Sequence, residues 1–92
     1  IFAPNVFSPN MDGINDVWGI YGDPLVTIEN ISIFDRLGTL LYKGEDFNLP
    51  NENIWDGYYR GKLLNPQVLV FDIEARVGDC IIKRKGDITI VN

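Results

Sequence analysis

The chain has 92 residues, and we expect residues 1–92 to form a single domain. A chain of this size buries roughly 60–65% of the surface that its unfolded form exposes, which leaves little room for a buried active site. The net charge is −5, from 13 acidic and 8 basic residues, and this argues against a nucleic-acid partner, which needs a basic face. No apolar run approaches the roughly 20 residues that a membrane-spanning helix requires, so we expect no membrane insertion.

The chain contains no histidine, which removes the usual general base, the commonest transition-metal ligand and any histidine-activated nucleophile. Its single cysteine, Cys80, cannot form an intrachain disulfide, and we interpret it as a half-buried strand residue. Carboxylates are plentiful, but no pair of them stands out as a catalytic dyad. We therefore expect a protein that is not an enzyme and that requires no cofactor.

The opening loop, residues 10–16, concentrates oxygen-bearing side chains. Calcium needs about six to eight oxygen ligands, and four side chains of the loop could supply part of such a shell: Asn10, Asp12, Asn15 and Asp16. The spacing does not fit an EF-hand loop. In the alternative interpretation, the Asn and Asp side chains accept hydrogen bonds from nearby backbone N–H groups while Gly13 adopts a positive φ. The sequence leaves both interpretations open.

Residues 25–43 predict a β-hairpin. Leu25 to Phe34 is rich in β-branched residues, and its apolar phase changes at Glu29-Asn30, which indicates either a bulge or two joined short strands. Asp35-Arg36-Leu37-Gly38 follows as a turn, with Gly38 placed for left-handed backbone.

Residues 44–53 are mostly polar, contain Pro50 and predict a loop. Trp55-Asp56-Gly57 then places a large aromatic beside a turn signal. We interpret Trp55 as a core residue rather than an exposed platform for a sugar, because large aromatics supply much of a small core.

The clearest strand is Gln67 to Val77, where alternate residues form an apolar face: Leu69, Phe71, Ile73, Ala75 and Val77. Gly78-Asp79 predicts a tight turn, after which a second strand returns from Cys80. We interpret the basic run Lys83-Arg84-Lys85 as a strand end that meets solvent. Gly86 predicts a bulge or bend in this second strand.

Short strands at intervals of about ten residues, separated by Gly, Pro, Asn and Asp, are typical of an all-β antiparallel sandwich. We predict an immunoglobulin-like β-sandwich of about seven strands.

Three segments together resemble one family. They are Ile1 to Trp18, which contains the Ser-Pro-Asn and Asp-Gly-Ile-Asn-Asp runs; Ile31 to Gly38, with Trp55-Asp56-Gly57 after it; and Pro66 to Val91. In these segments the chain is similar to the gliding motility-associated C-terminal domain, the type B sorting domain of the type IX secretion system. Leu37 and Leu69 stand where the family usually has aromatic residues, and we expect the core to accept both as apolar replacements.

The resemblance implies a domain at the C-terminus of a large exported protein of gliding Gram-negative bacteria. It also implies recognition by the outer-membrane type IX translocon and its adaptor proteins, transit through the periplasm, and arrival at the cell surface or in the medium. We expect a monomer that acts by protein–protein recognition. Candidate contacts are Asn10 and Asp12 in the opening loop, Arg36 and Gly38 at the hairpin tip, or an edge strand that a partner extends.

The alternative function is an immunoglobulin-like accessory or spacer module. Such a module would bind polysaccharide or a cell-surface partner through exposed aromatic side chains.

The two interpretations of the opening loop predict different melting behaviour. If the loop binds calcium, the ion raises the melting temperature of the domain, and Asp12→Ala abolishes this rise because a carboxylate ligand is lost. Thermal melts with calcium and with a chelator measure the effect. If neither calcium nor the chelator changes the melting temperature, the calcium site is contradicted and the turn held by its own Asn and Asp side chains is favoured.

Overall fold

The structure, a computed structural model, describes residues 1–9 and 16–91. These residues form nine strands and no helix, so the all-β prediction is confirmed. In particular, the described part of the chain has no helix that is long and apolar enough to cross a membrane. The strand number exceeds the predicted seven, and the immunoglobulin-like topology stays a prediction.

The strands, in chain order, are β1 (Val6–Phe7), β2 (Trp18–Ile20), β3 (Thr27–Phe34), β4 (Leu40–Asn48), β5 (Asn51–Trp55), β6 (Tyr58–Tyr59), β7 (Lys62–Leu63), β8 (Gln67–Val77) and β9 (Cys80–Ile90). Five of them form one sheet in the order β1-β9-β8-β3-β4. The short strands β2 and β5 pair with each other, as do β6 and β7. All pairs are antiparallel except β1 with β9, which is parallel.

The β8–β9 hairpin is the longest ladder of the sheet, and its turn is the one that the sequence predicts. Val77 pairs with Cys80 across Gly78-Asp79, and Gly78 has a φ of 60°. Glycine adopts this left-handed conformation without the steric cost that a side chain would add. On β8 the predicted apolar face is buried at Leu69, Phe71, Ile73 and Ala75, and Val77 is half-buried.

The phase change in β3 is a bulge. Against β8, Ile28 pairs with Ala75 and Asn30 pairs with Glu74, so one extra residue, Glu29, lies on β3 between these two pairs. An extra residue of this kind moves the side chains after it to the opposite register. Both Ile28 and Ile31 are therefore buried, although they are three residues apart in a strand.

The core lies between one face of the five-stranded sheet and the β2–β5 pair. Trp18 of β2 and Trp55 of β5 are paired across these two strands, and both are buried. The ring of Trp18 contacts Phe71 of β8 at a centroid distance of 5.6 Å, and the ring of Trp55 contacts Phe7 of β1 at 5.9 Å. These tilted aromatic contacts join the small second layer to the sheet.

The predicted loop at residues 44–53 is wrong, because most of this segment is strand. β4 continues to Asn48, β5 begins at Asn51, and only Leu49 and a cis Pro50 lie between them. The polar composition suggested a loop, but β4 is the edge of its sheet and its polar side chains lie in solvent. Pairing with β3 satisfies the backbone hydrogen bonds that a loop would have left to water.

Gly86 does not produce the predicted bulge, since β8 and β9 pair without a register shift from end to end. Its partner across the ladder is Phe71. A Cβ atom at position 86 would lie 2.7 Å from Cζ and 2.8 Å from Cε2 of the Phe71 ring. The glycine therefore makes room for an aromatic side chain of the neighbouring strand, which is a second known reason for glycine in a strand.

Gly86→Ala should destabilise the domain by about 1–3 kcal/mol, because the added methyl group overlaps the Phe71 ring. Chemical denaturation measures the free energy of unfolding. In a Phe71→Leu background the same substitution should cost less than half as much, since the clashing ring is absent. Equal costs in the two backgrounds would contradict this account of Gly86.

Candidate recognition site

The tip of the β3–β4 hairpin is held by one carboxylate. Oδ1 of Asp35 accepts hydrogen bonds from the backbone N–H groups of Leu37 and Thr39, each at 2.9 Å. The backbone of Asp35 also bonds to Thr39 and Gly38, and Gly38 has a φ of 90°. The predicted left-handed glycine is confirmed, and the tip is a defined turn.

Arg36, Leu37 and Gly38 all lie in solvent at this tip. We expected Leu37 to replace a core aromatic, and this was wrong, because the side chain is 93% exposed. Leu69, by contrast, is fully buried as expected. The structure therefore presents Arg36 and Gly38, two of the predicted contact residues, on an accessible surface beside an exposed leucine.

The Trp55-Asp56-Gly57 segment has a structural role. Trp55 is 5% exposed, and its indole N–H donates a 3.1 Å hydrogen bond to the carbonyl of Tyr58. Oδ1 of Asp56 accepts a hydrogen bond from the N–H of Tyr58, and Gly57 has a φ of 83°. This confirms that Trp55 is a core residue at a turn, so it cannot stack on a sugar.

Besides the edge strand β4, the sheet has an accessible edge along the outer side of β9. In the sheet, β9 lies between β8 and β1, but β1 pairs only with Thr89 and Ile90. The N–H of Thr89 donates to Asn5, so odd-numbered residues of β9 direct their backbone polar groups away from β8. By this alternation, backbone N–H and C=O groups at the outer edge of the sheet, directed away from β8, belong to Ile81, Lys83, Lys85 and Asp87. No described strand pairs with them.

We use the name open edge for Cys80 to Asp87, the part of β9 that β1 does not cover. Its side chains are exposed on both faces of the sheet, except that Ile82 and Gly86 are half-buried. Cys80 is thus a strand residue as predicted, but it is exposed rather than half-buried. Its neighbour Ile81 is 52% exposed.

Lys83, Arg84 and Lys85 lie in the middle of β9 rather than at its end, although their predicted exposure is confirmed. Nζ of Lys85 is 4.0 Å from Oδ2 of Asp72, a weak and exposed ion pair. Arg84 pairs across the ladder with the buried Ile73, so it lies on the core-side face, but its side chain is exposed. Its guanidinium donates only a 3.1 Å hydrogen bond to the carbonyl of Lys83 among the bonds that the described residues form.

The opposite, outward face of the sheet has a shallow polar depression of about 190 Å³ lined by Asn30, Ser32, Asp72 and Glu74. Among residues 1–9 and 16–91, no group of three or more acidic or thiol side chains is placed to hold a metal ion. Asp16 is half-buried, whereas Asn10, Asp12 and Asn15 lie outside the described residues. The calcium site therefore stays a prediction.

A model of the CHU_C type IX secretion signal domain family matches residues 1–89 of the chain. The chain belongs to this family. It is a sorting signal for type IX secretion, and the protein that carries it is exported. No curated protein and no solved structure matches the chain. The match confirms the resemblance on which the sequence-based prediction of function depended.

The sequence named an edge strand as a candidate contact but did not locate it. One signal was present at residues 80–85, where two isoleucines are adjacent and three basic residues follow. This run lacks the period-two alternation of a half-buried strand, and a strand exposed on both faces has no need of it. The hairpin tip, in contrast, could be located from its turn residues alone.

Asp35→Ala should lower the free energy of unfolding by about 1 kcal/mol, because two backbone N–H groups of the turn lose their acceptor. Asp35→Asn keeps a side-chain oxygen as an acceptor, so it should lower the free energy of unfolding by less than half as much as Asp35→Ala. Leu37→Ser should change stability by no more than about 0.5 kcal/mol, since the side chain contacts mainly solvent. Thermal and chemical denaturation of the three variants provide the comparison, and a large effect of Leu37→Ser would contradict the exposed tip.

Proposed function

We propose that this type IX signal domain acts as a folded surface that the outer-membrane translocon and its adaptor proteins recognise. The observation that carries the proposal is the family match over residues 1–89, which leaves only three residues outside it. The described residues add a fold with a buried core and an exposed hairpin tip, and a folded domain of this kind can present a fixed set of contacts.

In this proposal the domain lies at the C-terminus of a larger exported protein. The carrier passes through the periplasm, and the domain then directs it through the outer membrane to the cell surface or the medium. The domain itself acts as a monomer and does not insert into the membrane. The net charge of −5 supports a protein partner rather than a nucleic acid.

We further propose that the domain catalyses no reaction. The family is one of secretion signals and not of enzymes. The absence of histidine from the sequence supports the same conclusion, because it removes the residue that most often transfers protons in active sites.

A polysaccharide-binding accessory module is less well supported. The aromatic residue that the sequence offered for sugar stacking, Trp55, is buried in the core. Of the exposed aromatic side chains Phe2, Tyr21 and Tyr58, the first two contact each other at a centroid distance of 6.3 Å, and their backbones pair across a bridge. Their contact thus has a structural explanation.

A secretion assay tests the proposal. The domain is fused to the C-terminus of a periplasmic reporter in a bacterium with a type IX system, and reporter activity is compared between periplasm and medium or cell surface. We expect export of the fusion and retention of the reporter alone. Retention of the fusion in the periplasm would contradict the proposed function.

Two matched variants on β8 test whether the machinery reads a folded surface. Ile73→Lys places a charge in the core and should destabilise the domain by about 4 kcal/mol or more, so its export should be lost. Val70→Lys introduces the same charge on the opposite face of the strand, at a residue that is 37% exposed, and should leave export intact. Equal export of both variants would show that a linear sequence is read instead.

A further inference from the structure

The open edge of β9 has the backbone groups of an incomplete ladder. The outward N–H and C=O groups belong to Ile81, Lys83, Lys85 and Asp87, over about 20 Å of extended chain. At its far end the same edge already accepts a strand, where the N–H of Thr89 bonds to Asn5 at 2.7 Å and that of Val91 bonds to Phe7 at 3.0 Å. An added strand next to β1 would complete the row.

The charges along the open edge indicate what kind of strand it accepts. Lys83, Arg84 and Lys85 are three of the eight basic residues of a chain whose net charge is −5. Lys83 and Lys85 lie on the outward face of the sheet, opposite Glu74 and Asp72 of β8, and the acidic Asp87 lies on the same face. Arg84 lies on the core-side face, opposite the apolar Ile73. A paired strand brings its side chains close to these, where opposite charges stabilise the pair and like charges destabilise it.

We propose that the open edge binds an extended acidic segment of a partner protein as an additional β-strand. The proposal rests on the proposed function, because it names the surface through which the secretion machinery reads the signal. The segment carries carboxylates on both of its faces opposite the three basic residues, and apolar side chains beside Ile81 and Ile82. Backbone hydrogen bonds hold it in place, and the charges select it.

A second copy of this chain fits the open edge poorly. Two open edges that pair antiparallel about a two-fold axis bring their basic runs together, and lysine on an edge strand is a common means of preventing such self-pairing. An anionic surface, such as a lipid headgroup layer, would use the basic side chains but not the backbone groups. A variant that removes a backbone N–H group but no charge therefore distinguishes strand addition from attraction to such a surface.

Two pairs of variants in the secretion assay test the proposal. Ile81→Pro removes an outward N–H group and no charge, while Ile81→Ala removes the side chain and keeps the N–H group. Proline is tolerated at edge positions whose N–H faces solvent, so the fold should persist. Arg84→Glu reverses a charge on the open edge, and Lys62→Glu makes the same change on β7, away from it.

We expect Ile81→Pro and Arg84→Glu each to lower export at least about fivefold, from the lost backbone bond and the reversed charge pair. Ile81→Ala should lower export less than Ile81→Pro does, and the Lys62→Glu fusion should be exported as well as the unmodified one. Melting temperatures of all four confirm that they fold. If Ile81→Pro does not fold, Asp87→Pro replaces it, because it removes another outward N–H group and also removes an acidic charge.

The other results overturn the proposal in different ways. If neither Ile81→Pro nor Arg84→Glu changes the amount of exported reporter, the domain is still a signal, but the open edge is not the surface that the partner binds. Loss with Arg84→Glu but not with Ile81→Pro indicates a charged surface without strand addition. If sedimentation shows a dimer of the domain, and Ile81→Pro converts it to a monomer, the open edge binds a second copy instead. If the unmodified fusion stays in the periplasm, the proposed function fails, and this inference fails with it.

Discussion

The fold depends on how the apolar face of a five-stranded sheet is covered by a second layer of two short strands. The second layer consists of β2 and β5, and it has one tryptophan from each strand, Trp18 and Trp55. Each tryptophan has its indole N–H bonded to a backbone carbonyl, of Pro4 at 2.7 Å and of Tyr58 at 3.1 Å, so neither leaves a polar group unpaired in the core. With Ile20 and Ile54 of the same strands, the two tryptophans cover an apolar face that a full second sheet covers in larger sandwiches.

The short reach of β1 along β9 explains the accessible surface. On β9, Ile88 and Ile90 lie under the cover and are buried, whereas Arg84 lies on the same face and is exposed. The core continues along β8, where Ile73 and Ala75 are buried opposite Arg84 and Ile82, but from Cys80 to Asp87 the outer side of β9 has no neighbour among the described strands. A sorting signal needs a surface that is accessible while the domain stays folded, and the outer side of β9 is accessible in the folded domain.

Local patterns predicted the parts of the fold that local physics determines. The alternation along Gln67 to Val77, the turns at Gly38 and Gly78, and the change of apolar phase at Glu29-Asn30 all follow from steric and period-two rules that act within a few residues. The errors concern neighbours that are distant in sequence. Gly86 needed its cross-strand partner Phe71, and residues 44–53 needed the sheet edge that makes a polar strand stable.

From Cys80 to Asp87 the outer side of β9 has no partner among the described strands, and hydrogen exchange of its amides in the isolated domain tests this most directly. The account predicts alternating rates, with fast exchange at Ile81, Lys83, Lys85 and Asp87 and slow exchange at Ile82, Arg84 and Gly86, which bond to β8. The N–H of Thr89, bonded to Asn5, should be slow and should break the alternation. Uniform protection from residue 81 to residue 89 would show that the edge is already covered and would contradict the account.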